Sequence, residues 1–285
     1  MPFFQAKDGT ELFYTSWGDG LPVVLIHGNN IGSDMWSFQI AHLIERGFRC
    51  ISYDQRGFGR SDAPSSGYDA DTLAGDLHSL IETLGLSKPS LIAYSIGAGV
   101  VARFLSRFGT NSIDRTILLS PVTPCFLKTN DNPEGLDAEV TYGPFRSGLI
   151  SDRPQLLRDS LDAFFNPDGA EDPVSEGFRN WIVTSSLQNP LLPVLEFTRI
   201  SYESDFRPDM NSFTIPTLIV HGAADAFAPS TVTADRTHNM IRKSHLVKYE
   251  GASHGLIFTH RMRVNRDIIE FLAPGLRDLN KQVDR

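Results

Sequence analysis

The chain has 285 residues, of which 41% are apolar, enough for one large core or two small ones. Its 26 Lys and Arg against 34 Asp and Glu give a net charge of −8, and no basic stripe is present, which argues against nucleic acid as a partner. The longest apolar runs, such as 23–26 and 218–220, are far too short to span a bilayer, and residues 1–9 lack the charged start and apolar stretch of a secretory signal, so a cytoplasmic protein with no membrane partner is expected. In chain order, Glu11–Trp17 reads as a strand after the Asp8-Gly9 turn. Residues 23–26 form a continuous apolar run, as in a strand buried on both faces. Residues 35–46 have helical spacing and end at Gly47, a C-cap signal. Phe48–Tyr53 is a strand, 71–84 a helix closed by Gly85, Ser90–Tyr94 a strand, 96–108 a helix and Thr116–Leu119 a strand. Such β-α alternation predicts a mostly parallel sheet with helices on both faces.

From 122 to 213 no strong strand pattern occurs. Amphipathic stretches at 155–165, 176–187 and 191–202, punctuated by prolines, predict a mostly helical insertion. Then the α/β order returns, with strands at 217–220 and 245–249 and helices at 230–240 and 261–271. The expected organisation is one α/β domain, 1–121 plus 214–285, interrupted by a helical cap at 122–213.

The strand Ser90–Tyr94 stops at Ser95, and small residues and a helix follow at once. Ala93-Tyr94-Ser95-Ile96-Gly97 approximates the G-x-S-x-G nucleophile elbow, with Ala93 in place of the first glycine. Most serines among small residues are only turns or helix caps, so the chemistry depends on partners elsewhere. A serine needs a base to take its proton and a third group to orient that base. In sheets of this kind, loops at the carboxyl ends of strands meet in one crevice. Asp225 lies in the loop after 217–220 and His254 in the loop after 245–249, giving the order Ser, Asp, His. Ser120-Pro121-Val122-Thr123-Pro124, after Thr116–Leu119, offers no carboxylate, which strengthens Asp225. For an oxyanion hole, the main-chain amides of Ile96, after the serine, and Asn29, in His27-Gly28-Asn29-Asn30, are the candidate donors.

Other residues have plainer readings. Of eight histidines, His27 and His221 precede glycines at strand ends and read as structural. His42, His78, His238 and His245 read as solvent-facing, and His260 as a cap of the last helix. Asp54 and Asp62 read as braces for the loop around Arg56 and Arg60, with Arg56 bonding backbone carbonyls or Asp54. Cys50 reads as a small buried hydrophobe, and neither it nor Cys125 belongs to a metal-ligand or redox spacing. No metal site and no cofactor are expected. The cap aromatics Phe126, Tyr142, Phe145, Phe164, Phe165, Phe178, Trp181 and Phe197 read singly as cap core. As a set they predict an apolar pocket, with Phe126, Phe165, Tyr94 and Leu256 as its expected wall.

The chain resembles the α/β-hydrolase superfamily over essentially its whole length, and within it the cofactor-free haloperoxidases, also described as perhydrolases and aryl esterases. The resemblance is carried by Lys7-Asp8-Gly9-Thr10, Trp17-Gly18-Asp19-Gly20, His27-Gly28, Asp54 to Ser61, Ala93 to Gly97, His221 to Asp225 and Gly251 to Gly255. It implies a Ser95–His254–Asp225 triad, Asn29 and Ile96 as oxyanion donors, and a helical cap over the pocket. It also implies that halide oxidation in this family runs through a peracid made at the serine, without haem. The chain departs from the pattern at Asn29 and Asn30, where the family has an aromatic residue and then leucine or proline, and at Ile96, commonly methionine or threonine. The proline is associated with perhydrolysis, so its absence weakens that expectation, and Asn30 instead offers the pocket a polar amide.

The expected function is a serine hydrolase cleaving a small carboxylic ester or lactone through an acyl-enzyme. A carbon–carbon bond hydrolase, an amidase or a perhydrolase on the same triad stands as an alternative, and a ligand-binding receptor as the non-enzyme one. The expected partner is a small ester or lactone, with homo-oligomerisation left open.

Overall fold

The computed structural model describes residues 2–273. Eight strands form one sheet in the order β1-β2-β4-β3-β5-β6-β7-β8. They are β1 (Phe3–Gln5), β2 (Glu11–Trp17), β3 (Leu21–Ile26), β4 (Phe48–Tyr53), β5 (Ser90–Tyr94), β6 (Thr116–Leu119), β7 (Thr217–Gly222) and β8 (Ser244–Tyr249). β2 pairs antiparallel with both β1 and β4, and from β4 through β3, β5, β6 and β7 to β8 every pairing is parallel. β1, which shows no sequence pattern of its own, is held by pairing with β2.

Alternation along the strands divides the core in two. Val24 and Ile26 of β3, Leu91 and Ala93 of β5, and Ile219 of β7 face one side, packed with α2 (Ala70–Thr83), α3 (Gly97–Phe108) and α8 (Ala234–Met240). Val23, Leu25, Ile92, Tyr94, Leu218 and Val220 face the other, packed with α1 (Ser37–Glu45), α9 (Leu256–Thr259) and α10 (Arg261–Leu272). Cys50 lies in this second core.

Between β6 and β7 the chain makes α4 (Tyr142–Asp159), α5 (Leu161–Phe165), α6 (Glu176–Gln188) and α7 (Leu191–Glu203). The insertion is less helical at its start than its composition predicts: residues 122–141 hold only isolated bridges, Cys125 to Asp205 and Leu127 to Leu136 among them. α4 breaks at Asp152, whose backbone is non-helical and whose Oδ1 accepts the Gln155 amide at 3.1 Å. Asp152 thereby caps a second helical segment that carries Pro154 in its first turn, where a missing N–H costs nothing.

Arg56 departs from expectation. Its guanidinium donates to both carboxylate oxygens of Asp76 on α2, each at 2.7 Å, and to Asp8 at 2.8 Å. Asp54 instead accepts from the Ser33 amide at 2.7 Å and from the Arg60 amide and Nε at 3.0 and 2.9 Å. Asp62 braces the same loop by accepting the Glu11 amide at 3.0 Å. His260 is buried beside Thr259 and makes no side-chain cap to α10.

Candidate active site

Ser95 directly follows β5 with φ of 54°, a left-handed conformation that costs a side-chain-bearing residue about 1–2 kcal/mol. The strand holds it there: the Ser95 amide donates to Leu119 O at 3.0 Å, and the Ala98 amide returns to Ser95 O at 3.1 Å as α3 begins. The turn needs a small residue at Gly97, where a Cβ would stand 2.7 Å from Ile26 O and 3.0 Å from His27 O.

Asp225, in the loop after β7, is 4% exposed. Its Oδ1 accepts the Phe227 and Ala228 amides at 2.9 and 2.8 Å, and its Oδ2 accepts His254 Nδ1–H at 2.7 Å. Burial pushes the Asp225 carboxyl up, but His254 and these donors outweigh burial and hold it below the usual carboxylate range. Because Nδ1 carries the proton toward Asp225, Nε2 of His254 presents a lone pair. It lies 3.1 Å from Ser95 Oγ, which donates to it. The carbonyl of His254 accepts from Tyr94 Oη at 2.8 Å and Ser120 Oγ at 3.3 Å, and its ring packs among Tyr94, Phe164 and Phe227.

His221 Nε2–H donates to Ala228 O at 2.7 Å and stands 3.5 Å from Asp225, and burial keeps the ring neutral. It supports the Asp225 loop, in line with its structural reading. His27 acts likewise on the other side. Its Nδ1–H donates to Gly28 O at 2.6 Å, and its Nε2 accepts the Gln55 amide at 2.9 Å. The peptide between Gly28 and Asn29 is planar, so fixing Gly28 O turns the Asn29 N–H to the opposite side. Gly28 also lies tight on the elbow: a Cβ there would stand 3.0 Å from Ser95 Cβ.

Ser95 and His254 open on a cavity of about 140 Å³. Its lining is mostly apolar, including Met35, Val122, Phe126, Phe145, Phe164 and Phe227, with Tyr94, Asn29, Asn30 and Thr198 among its polar members. Neither Phe165 nor Leu256 lines it, correcting two expected wall positions. Phe165 packs on Phe164, Phe178 and Phe258, and Leu256 is fully buried in the second core. The insertion is stitched to the histidine loop as well: the Gly255 amide donates to Phe164 O at 2.8 Å and Asn166 Nδ2 to Gly251 O at 2.6 Å. Phe227 escaped the sequence reading of the pocket, and Phe164, read only as one of the cap aromatics, lines it where Phe165 was expected. The signal for Phe227 was its place two residues beyond Asp225. Among the described residues no group of three or more His, Cys, Asp or Glu side chains could hold a metal ion, and no helix is long and apolar enough to cross a membrane.

The sequence profile of the alpha/beta hydrolase fold matches residues 22–261. The chain belongs to the α/β-hydrolase family. Among its α/β-hydrolase relatives, a non-heme chloroperoxidase of Kitasatospora aureofaciens is 34% identical over 95% of this chain and 99% of its own. The crystal structure of a bromoperoxidase from Bacillus anthracis superposes with a TM-score of 0.89 at 37% identity, covering 95% of this chain and 99% of that one. An esterase from Exiguobacterium antarcticum superposes with a TM-score of 0.88 at 29% identity, covering 94% and 98%. The family, the mostly parallel sheet and the haloperoxidase and esterase resemblance read from the sequence thus agree with these comparisons.

Proposed function

We propose that this α/β-hydrolase cleaves small, uncharged carboxylic esters or lactones through an acyl-enzyme on Ser95. The observation that carries the reading is the continuous hydrogen-bonded chain from Ser95 Oγ to His254 to Asp225, opening on an apolar cavity. His254 takes the serine proton as Oγ attacks the carbonyl, then gives it to the leaving alcohol. Asp225 holds the imidazole in the tautomer that can accept, and stabilises the imidazolium. Water then releases the acid with His254 as base.

The amides of Asn29 and Ile96 are the proposed oxyanion donors, each contributing about a hundred- to a thousand-fold in rate. The His27–Gly28 bond supports the first assignment, and the position of Ile96 as N-cap of α3 the second. The insertion at 122–213 serves as a lid, in one domain with the core. Among the described residues no Asp, Glu, Lys or Arg lines the cavity, which favours uncharged substrates, with Asn30 available to a polar group. An apolar cavity of about 150 Å³ accepts a benzene-sized guest, so an acyl or aryl arm of about six carbons is the expected fit.

The test is pre-steady-state hydrolysis of p-nitrophenyl butyrate. A stoichiometric burst of p-nitrophenol is expected from the wild type, with a loss of about a million-fold in kcat for Ser95→Ala. Equal rates for the two proteins overturn the reading. The chloroperoxidase and bromoperoxidase relatives favour a second reaction, in which hydrogen peroxide replaces water at the acyl-enzyme and leaves as a peracid. Asn30, where the perhydrolase pattern has proline, makes it the lesser activity.

A further inference from the structure

The loop that carries the proposed oxyanion donor is held from above by the insertion as well as from below by the core. Asn189 caps the end of α6, where Pro190 keeps it extended, and it is buried. Its Nδ2 donates to Asn30 O at 2.6 Å, and more distantly to Ser185 O and Ser186 O at 3.2 and 3.4 Å. Its Oδ1 accepts the Gly59 amide at 2.8 Å. Arg153, on the far side of the α4 break, donates through Nη1 to Asn189 O at 2.8 Å and through Nη2 to Ser186 O. The second tie comes from α7. Asn29 Nδ2 donates to Thr198 Oγ1 at 2.9 Å and to Val194 O at 3.3 Å, while Asn29 Oδ1 accepts the Asn30 amide at 2.8 Å. Thr198 Oγ1 spends its own proton on Val194 O at 2.7 Å, so toward Asn29 it is an acceptor only.

Both residues of the Asn29–Asn30 pair therefore end on the insertion. Asn30 has φ of 72°, a conformation asparagine tolerates better than most residues, and its carbonyl is turned to meet Asn189. We propose that Asn189 and Thr198 are positioning residues that set the Asn29 amide from the lid, so the oxyanion hole is complete only when the lid is seated. The inference rests on the serine-hydrolase reading. A lid displaced from the core would release both ties at once and leave the Asn29 amide without support from above, held from below by the His27–Gly28 bond and by the turn in which the Ile31 amide donates to Asn29 O at 3.0 Å.

The experiment compares Asn189→Ala, Asn189→Asp and Thr198→Val with the wild type in p-nitrophenyl butyrate hydrolysis and in inhibition by phenylboronic acid, whose serine adduct presents a tetrahedral oxygen to the oxyanion hole. Asp keeps the acceptor for Gly59 but has no donor for Asn30. The expected result is a fall in kcat of about ten- to a hundred-fold, smaller than complete loss of a donor. KM stays within about threefold, boronate affinity weakens in step with kcat, and Asn189→Asp falls as Asn189→Ala does. Thr198→Val, nearly isosteric, carries the test should the Asn189 variants fail to fold. The inference fails if folded variants keep kcat within twofold of wild type, or if kcat falls while boronate affinity holds. The hydrolase reading fails separately, and takes the inference with it, if wild-type turnover survives Ser95→Ala.

Discussion

Ser95 and Asp225 follow β5 and β7 inside the sheet and His254 follows β8 at its edge, whereas the residues above them hang from helices that are short, kinked or half-exposed. The floor of the cavity is set by backbone: a strained φ at Ser95, amides aimed at Asp225, a carbonyl of His254 gripped by two side chains. The roof is set by side-chain packing and a few long-range polar ties, such as those of Asn189 and Arg153. A floor of this kind can move little without breaking the sheet. A roof of this kind can be repacked, which is how one scaffold accommodates different substrates. Substitutions in the floor should therefore destroy rate, and those of apolar roof side chains, away from the Asn189 and Thr198 ties, should redirect it.

After loss of the Ser95 hydroxyl itself, the largest effect is expected at Asp225→Asn. The Phe227 and Ala228 amides require a carbonyl oxygen, so the new amide must turn its NH2 toward His254. That forces the imidazole into the tautomer with Nε2 protonated, which cannot accept the Ser95 proton. A loss of about ten-thousand-fold in kcat is expected with p-nitrophenyl esters. The melting temperature should change little, because the contacts of Oδ1 survive. A loss below tenfold would mean that the carboxylate does not set the tautomer.

Two roof phenylalanines sharpen the contrast. Phe145 lines the cavity, and Phe165 is fully buried outside it. Phe145→Ala should raise the ratio of kcat/KM for hexanoate over acetate esters by about tenfold or more, since one methylene in an apolar pocket is worth that much. Phe165→Ala should leave that ratio within about twofold and instead destabilise the fold by about 3–5 kcal/mol, measured by denaturant titration. The reverse pattern would show that Phe165, not Phe145, forms the wall.

The same contrast governs what could be read from the sequence. Ser95 stood out because it follows an apolar strand run directly, and Asp225 and His254 because each sits in the loop after a strand run, among small or turn residues. No such frame exists in the roof. α5 has five residues, too few for the helical period to tell which of Phe164 and Phe165 faces the cavity. Leu256 follows His254 by two residues, but the chain turns into α9 and buries it. β1 has three residues, and its strand pairing depends on β2. Arg56 was matched with Asp54 by proximity in sequence, but the fold brings Asp76 of α2 against it, a contact twenty residues away. Local patterns carry the strand ends, and contacts between distant elements do not show in them.

The smallest effect tests whether buried charge helps fix the floor. Asp54 anchors the Ser33 amide and Arg60 below the Asn29–Asn30 loop. Burial pushes its carboxyl up, but the hydrogen bonds from Ser33 and Arg60 prevail, leaving its folded pKa below the ordinary value. A group depressed in this way adds stability that is fully present above the unfolded carboxylate value of about 3.9 and is lost as pH falls from there through the folded value. The melting temperature of the wild type should drop as pH falls below about 4, and Asp54→Asn should flatten that drop, because the amide has no proton to gain. The flattening should be partial, since Asp225 is depressed in the same direction and remains. Parallel curves for the two proteins would assign the acid sensitivity to other carboxylates and leave the floor held by backbone alone.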